Sequence, residues 1–423
     1  MEETKELGRA RTIEANRAQM RLVPLDLEAM LAEDHQARAV WAFVECLDLG
    51  EFYVRIKSRE GSAGRPATDP RIFLALWIEA TLDGVGSARE IERLCAYHVA
   101  YQWICGGVPV NHHSLSDFRN LSTDLLNGLL TQSAASLLSQ GLVEIRRVAQ
   151  DGMKVRASAG ASSFRTRKRL KELKKIAREQ VESLAKEIED DPGAASQREQ
   201  SARKRAAQDR KERVERALNE MKEVESRKRS NNGKKKTEAR TSTTDPEARV
   251  MKMADGGFRP AYNVHMTTET KDKVIVGVEV NNAGTDVQMM VPLAEQVEQR
   301  HRVRPEEWLA DGGCTSLGNI EAMSERGCKV IAPLRKRQRA DRRPADVRPT
   351  DSKAVQEWRE RMETEQAKAI YKQRGATSEL VNAQLRNNGL LRFLVRGTKK
   401  VLAVVLVHAL THNMRRGWAI ATP

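Results

Sequence analysis

Five short runs between residues 143 and 333 constrain the fold more than any other feature of the chain. They are VEIRRVAQD (143–151), Tyr262–Thr267, VIVGVEV (Val274–Val280), EWLAD (Glu307–Asp311) and KVIAP (Lys329–Pro333). Each has strand length; Tyr262–Thr267 alternates, Val274–Val280 is strongly β, and Val143, Ile145 and Val148 are the apolar members of the first. The middle two predict a hairpin across Thr268–Asp272. Helical spacing separates the later runs: Asp286–Gln299, with Met289, Val291, Leu293, Ala294 and Val297 apolar, and Leu317–Arg326. Adjacent strands followed by strands alternating with helices predict an α/β domain around a central mixed sheet.

The first strand is parted from the second by a stretch of different composition. Over residues 165–236, Lys, Arg and Glu dominate, while Leu170, Leu173, Ala177, Val181, Leu184 and Ile188 recur at three- and four-residue steps. Asp191-Pro192-Gly193 breaks the pattern, and Val214, Leu218, Met221 and Val224 resume it. This predicts an antiparallel, coiled-coil-like helical hairpin inserted into the sheet domain. Its charges read first as a solvated face, with DNA or a partner as the alternative. SNNGKKK (230–236) is expected to be mobile.

Ahead of the sheet, residues 1–64 read as a lead-in with short helices over Leu25–Leu31 and Ala37–Leu49, ending in the turn GSAGRP (61–66). Residues 65–142 read as a helical domain. Asp69-Pro70 starts a helix, Ile72–Leu82 is apolar enough for a core, and Asp83–Ser87 breaks it. Ser87 with Glu90 predicts a capping box, and Ile91, Leu94 and Cys95 carry that helix inward. A third helix begins near Ser114 or Ser116 and leads into Leu125–Leu138. Helix, glycine turn, helix is the general form of a helix-turn-helix DNA reader. His112, His113, Arg119 and Asn120 are the side chains placed to reach DNA, with a solvated surface as the alternative. Downstream come a basic loop (335–348), a charged helix over Val355–Tyr371 and a last helix over Lys399–Trp418.

Charge narrows the partners. With 73 Lys and Arg against 58 Asp and Glu, the net charge of +15 favours a polyanion, most simply nucleic acid. Five scattered cysteines without a CxxC pair argue against a disulfide framework or a zinc site and suit a reducing cytoplasm. The charged start MEETKELGR lacks a signal peptide's apolar core. VLAVVLVHAL (Val401–Leu410) is about half the length that spans a bilayer and reads as a buried helix segment.

Three acids stand out: Asp151 and Asp311 at strand ends, and Glu379 in YKQRGATSELVNAQLR (371–386). For Asp151, followed by Gly152, a turn-forming Asp-Gly is the alternative. Thr377 is placed to cap a helix carrying Glu379 in its first turn. Glu379 and Arg386 lie two turns apart on one face, and Tyr371 and Arg374 pair just upstream. Two strand-end acids and a helical acid in this order are expected of a ribonuclease H-like domain. Such a trio can hold two Mg²⁺ ions about 3.5–4 Å apart for in-line phosphoryl transfer.

Here the chain resembles the DDE transposases of bacterial insertion sequences. QDGMKVRASAG is similar to that family's first-acid segment and LADGGCTS to its second. Tyr371-x2-Arg374-x4-Glu379-x6-Arg386 is similar to its Y-(2)-R-(3)-E-(6)-K signature, with one extra residue before the acid and Arg for Lys. Arg keeps the charge and adds bidentate phosphate binding. RPATDPRIFLALWIEATLDGVGSAREIERLC resembles the helical domain that precedes this catalytic domain. The resemblance implies a ribonuclease H-like catalytic domain (143–164 and 237–423) interrupted by the 165–236 insertion, with an all-α DNA-binding domain before it. It implies that Asp151, Asp311 and Glu379 are catalytic and hold two Mg²⁺ ions, Mn²⁺ substituting. Tyr371, Arg374 and Arg386 would contact DNA phosphates, and Gly312-Gly313 would allow a sharp turn beside them. Asn282, Thr285 and Asp286 would support the site, with helix capping as the alternative for Asp286. The implied activity is cleavage at an insertion sequence's terminal inverted repeats and joining of the freed 3′-hydroxyl ends to target DNA. The implied state is a homodimer or larger assembly on DNA in the bacterial cytoplasm, at the nucleoid. The alternatives are a sequence-specific DNA-binding protein without catalysis, or a nuclease of the same fold that cuts without joining.

Overall fold

The structure is a computed structural model that describes residues 26–61, 65–190, 196–230, 238–334 and 346–421. Residues 1–25 of the lead-in, 62–64 of the following turn, the break at 191–193, most of SNNGKKK and residues 335–345 of the basic loop lie outside the described residues.

The N-terminal part is helical: α1 (Gln36–Glu45), α2 (Gly50–Val54), α3 (Pro70–Leu82), α4 (Ala88–Tyr97), α5 (Val99–Cys105), α6 (His112–Leu121) and α7 (Thr123–Ser139). Of the helix expected over Leu25–Leu31, the described residues form turns. Arg38 ties them down by donating to the carbonyls of Glu28 and Leu31, each at 2.9 Å. Helix α3 starts as expected, with Pro70 in its first turn and Asp69 accepting from the Arg71 N–H at 2.8 Å. It is buried along nearly its whole length. Ser87 stands at the start of α4, but the capping box is not made. Its side chain caps nothing, and Glu90 turns to Arg93 instead.

The sheet is assembled from β1 (Arg147–Arg156), β4 (Arg249–Lys252), β5 (Phe258–Glu269), β6 (Ile275–Asn281), β7 (Glu307–Leu309) and β8 (Lys329–Ile331). A separate ribbon pairs β2 (Phe164–Thr166) with β3 (Arg240–Ser242). In the main sheet β5 pairs with both β4 and β6 along one edge and with β1 along the other. Strand β1 runs antiparallel to β5 and parallel to β7, and β7 runs parallel to β8. This is a mixed sheet, as the strand order predicts.

Between β2 and β3 stand α8 (Arg167–Asp190) and α9 (Gln197–Ser230). They lie against each other through Lys174–Glu215 at 3.1 Å and Arg203–Glu187 at 3.2 Å. An apolar seam of Leu170, Val214, Ala217 and Met221 closes the end nearest the ribbon.

Helices α10 (Met290–His301), α11 (Leu317–Glu325), α12 (Lys353–Glu363), α13 (Glu365–Asn387) and α14 (Thr398–Ala421) complete the chain. The charged helix expected over Val355–Tyr371 is two helices. Thr364 ends α12 and caps α13 by accepting from the Ala367 N–H at 3.2 Å. One core joins α3 and α7 to α14 and the sheet through Leu74, Trp77, Leu129, Ile275 and Leu406. A second core gathers Met290, Leu293, Trp308, Val330 and Trp358. The apolar run Val401–Leu410 lies buried inside α14, and no described helix is long and apolar enough to cross a membrane.

Candidate active site

The site forms where β7 stops short of β1. The parallel register ends at Leu309 opposite Ala149, fixed by the Trp308 indole N–H donating to Gln150 Oε1 at 2.9 Å. Two residues on along each chain come Asp311 and Asp151. Parallel strands in register carry these two acids to about the same level, near enough for the Asp311 charge to act on Asp151.

Asp151 is not at a strand end. Strand β1 continues through Gly152 to Arg156, paired with β5 throughout, and Asp151 stands opposite Met266. The expected Asp-Gly turn fails because Gly152 makes room for another side chain. A β-carbon there would lie 2.5 Å from Asp286 Oδ1. Asp286 accepts a 2.5 Å hydrogen bond from Asn263 Nδ2 and lies 3.8 Å from Nδ1 of His265, which is fully buried. It therefore braces the back of β1; it precedes a short 3₁₀ turn leading into α10 and makes no side-chain cap. Neither ring nitrogen of His265 has a hydrogen bond of ordinary geometry, and burial holds its pKa below the usual range against the pull of Asp286.

Asp311 begins a tight turn. Its Oδ1 accepts from the Cys314 N–H at 2.9 Å, and its carbonyl accepts from the Thr315 hydroxyl at 2.8 Å. A β-carbon on Gly313 would meet that carboxylate at 3.1 Å, so the glycine lets the turn fold against the acid. The Cys314 thiol is buried, and its pKa is pushed up by burial and then by the charges of Asp311, Asp286 and Asp151.

Helix α13 crosses the front of β1. Asn382 Nδ2 donates to Asp151 Oδ2 at 2.7 Å, and Arg374 Nη1 stands 3.6 Å from Asp151 Oδ1. The Arg374 guanidinium also lies over the Tyr371 ring, 5.7 Å from its centre. Arg147, which pairs with Glu307, donates to Gln373 at 2.8 Å and ties β1 to the same helix. Burial raises the Asp151 pKa; Arg374 opposes this, the Asp311 charge adds to it, and the Gly152 N–H and Asn382 oppose it.

Glu379 is placed differently from expectation. Thr377 is buried in mid-helix and caps nothing, and Glu379 lies in the interior of α13, far from its first turn. It is exposed on the flank next to the Asn382 face, with Oε1 3.6 Å from where a Gly375 β-carbon would be. It makes no hydrogen bond or ion pair with any described residue, and neither does Arg386, also exposed. The structure thus brings Asp151 and Asp311 near each other and leaves Glu379 on the exposed flank of α13. Among the described residues no three His, Cys, Asp or Glu side chains form a group that could hold a metal ion. The two aspartates nonetheless suit a hard cation. Both offer carboxylate oxygens, and their mutual repulsion is only partly offset by a neutral amide and one guanidinium.

In the N-terminal helices, Arg119 is not at the surface. It is 5% exposed, lies 3.8 Å over the Trp77 ring and donates to the Gly86 carbonyl at 3.3 Å. Leu115 and Arg119 are one turn apart on the buried face of α6, which explains the correction. Asn120 is half-buried and donates to Ser116 Oγ at 3.0 Å. His112 contacts Glu92 at 2.7 Å, while His113 is exposed. Sequence reasoning also missed Asn382, Asn263 and His265. The available signal was an Asn in the interior of an apolar-faced helix and polar residues in a buried strand.

A mixed-sheet α/β chain of ribonuclease H-like type, with one aspartate in mid-strand, a second in the turn after the neighbouring strand and a helix across the first, is the class that the geometry defines. Comparison with protein families agrees. Residues 236–414 match the transposase DDE domain, and residues 25–121 match a transposase domain (DUF772). The first match contains Asp311 and Glu379; Asp151 lies ahead of it. No curated protein and no solved structure matches the chain. The chain belongs to the DDE transposases of insertion sequences.

Proposed function

We propose that this transposase cuts DNA at the ends of its insertion sequence and joins the freed 3′-hydroxyl ends to target DNA. What supports the reading is the side-by-side placement of Asp151 and Asp311 beneath α13, whose exposed flank carries Glu379 and Arg386. Asp151 and Asp311 would hold Mg²⁺, or Mn²⁺ in its place, and Glu379 would complete the set by swinging its side chain inward. A bound pair of such ions lowers the pKa of an attacking oxygen and stabilises the leaving one. Tyr371 and Arg374 would keep the scissile strand against the acids, and Arg386 would take a neighbouring phosphate. The helices of residues 65–142, with Asn120 among their side chains, would grip the terminal repeats, and two copies would pair the two ends. The α8–α9 hairpin would stand outside the chemistry as an insertion.

The test is Mg²⁺-dependent cleavage and strand transfer on DNA carrying the element's own ends. Changing Asp151, Asp311 or Glu379 to Ala should abolish both products, and EDTA should do the same to the parent protein. Full cleavage by all three variants would refute the reading. The outward position of Glu379 favours one alternative, DNA binding without catalysis. In that case the parent protein shifts the DNA in a gel and leaves it uncut.

A further inference from the structure

The buried face of α13 carries a residue that helix packing does not call for. Val381 and Leu385 are almost fully buried, as apolar residues facing a core should be. Asn382, between them in sequence, is 8% exposed. Asparagine is a weak helix former, and burying its amide is unfavourable unless it is hydrogen-bonded. Arg374, Ser378 and Asn382 follow at four-residue steps, so three polar side chains line one stripe toward β1. Ser378 is buried with its hydroxyl unpaired. At one end of the stripe Arg374 stands 3.6 Å from Asp151 Oδ1; at the other Asn382 donates to Oδ2 at 2.7 Å. The amide must present its N–H₂ to the carboxylate, because its carbonyl oxygen there would be repelled.

We propose that Asn382 is the positioning residue of Asp151, fixing the carboxylate's rotation so that its remaining lone pairs face Asp311 and a divalent cation held between them. The inference rests on the reading that Asp151 is a cation ligand. A group that orients a metal ligand by hydrogen bonding governs affinity without touching the metal, by a factor of roughly 10 to 100. Val381 and Leu385 anchor the helix, and Asn382 transmits that anchoring to the acid.

The experiment is Mn²⁺ binding to the full-length protein by titration calorimetry, beside thermal melting without metal. Asn382→Leu keeps the volume and removes the donor; Asn382→Ser is smaller and keeps a hydroxyl donor. Asn382→Leu is expected to melt like the parent yet bind Mn²⁺ about tenfold more weakly, with Asn382→Ser between the two. Asp151→Asn should remove binding. Parent-like Mn²⁺ affinity in Asn382→Leu, with binding lost in Asp151→Asn, overturns the role of Asn382 and leaves the cation reading standing. A parent protein that binds no Mn²⁺ overturns both. If Asn382→Leu does not fold, Asn382→Ser decides alone: weakened binding supports the proposal, and unchanged binding overturns it.

Discussion

Asp286 occupies the space that a side chain at position 152 would need: its Oδ1 lies 2.5 Å from the site of a Gly152 β-carbon. Asn263 holds that carboxylate in place by a 2.5 Å hydrogen bond, so it cannot simply swing aside. Gly152→Ala should therefore destabilise the protein by about 1–3 kcal/mol. Adding Asp286→Ala should return part of that loss. Thermal or urea unfolding of the two single variants and the double variant measures the coupling; strict additivity would contradict the contact.

Asp151 has a raised pKa in the folded protein, through burial and then the neighbouring charge of Asp311, which Arg374 and Asn382 only partly counter. Between the unfolded carboxylate's value and the raised one, the folded state holds more protons. Its stability therefore falls as pH rises through that window. Asp151→Asn should raise the metal-free melting temperature near pH 8 and have little effect near pH 4. The same variant should lose cation-dependent activity, and an unchanged or lower melting temperature at pH 8 would contradict the repulsion.

Glu79 should show a similar dependence far from the site. It is 1% exposed on α3, and its pKa is pushed up to about 7 by burial, against a 3.0 Å donation from Gln36 and with the Asp83 charge adding. Stability should decline by roughly 3 kcal/mol between pH 4.5 and 7 on this account, then level off. Glu79→Gln keeps an acceptor for Gln36 and should remove most of that decline. Melting curves across pH for parent and variant are the check.

Asp351 and Arg359 form an ion pair at 2.8 Å with both side chains almost fully enclosed, 1% and 5% exposed. Asp351→Ala takes one partner from an enclosed guanidinium and should cost about 1–3 kcal/mol, and the double change to Asp351→Leu with Arg359→Met should recover much of it. Denaturant titration distinguishes the two.

Much of the frame was legible from periodicity. The β5–β6 hairpin, α3, α10, α11 and β8 fall close to where alternation and helical spacing place them. The failures share a cause: local signals yielded to neighbours distant in sequence. Asp-Gly at 151–152 is a sound turn signal, yet the chain runs straight because β5 pairs with it and Asp286 fills the glycine's space. Ser87 with Glu90 is a sound capping pair, yet Arg93 claims the acid. Thr377 could start a helix, but Thr364 starts one earlier and the same helix runs through. Arg119 was legible as a cation but not as the lid of Trp77. Asn382 meets Asp151 across 231 residues, and no spacing rule reaches that far.

The unbroken run of β1 past Asp151 divides labour within the site. An acid in mid-strand is clamped by hydrogen bonds before and after it, so its backbone serves as a fixed datum. Asp311 rides on a turn and Glu379 on a single 23-residue rod. Any rearrangement that completes the trio is therefore a movement of those two relative to Asp151. Because Tyr371, Arg374, Asn382 and Arg386 share the rod with Glu379, a tilt that brings the glutamate in would shift all four with it.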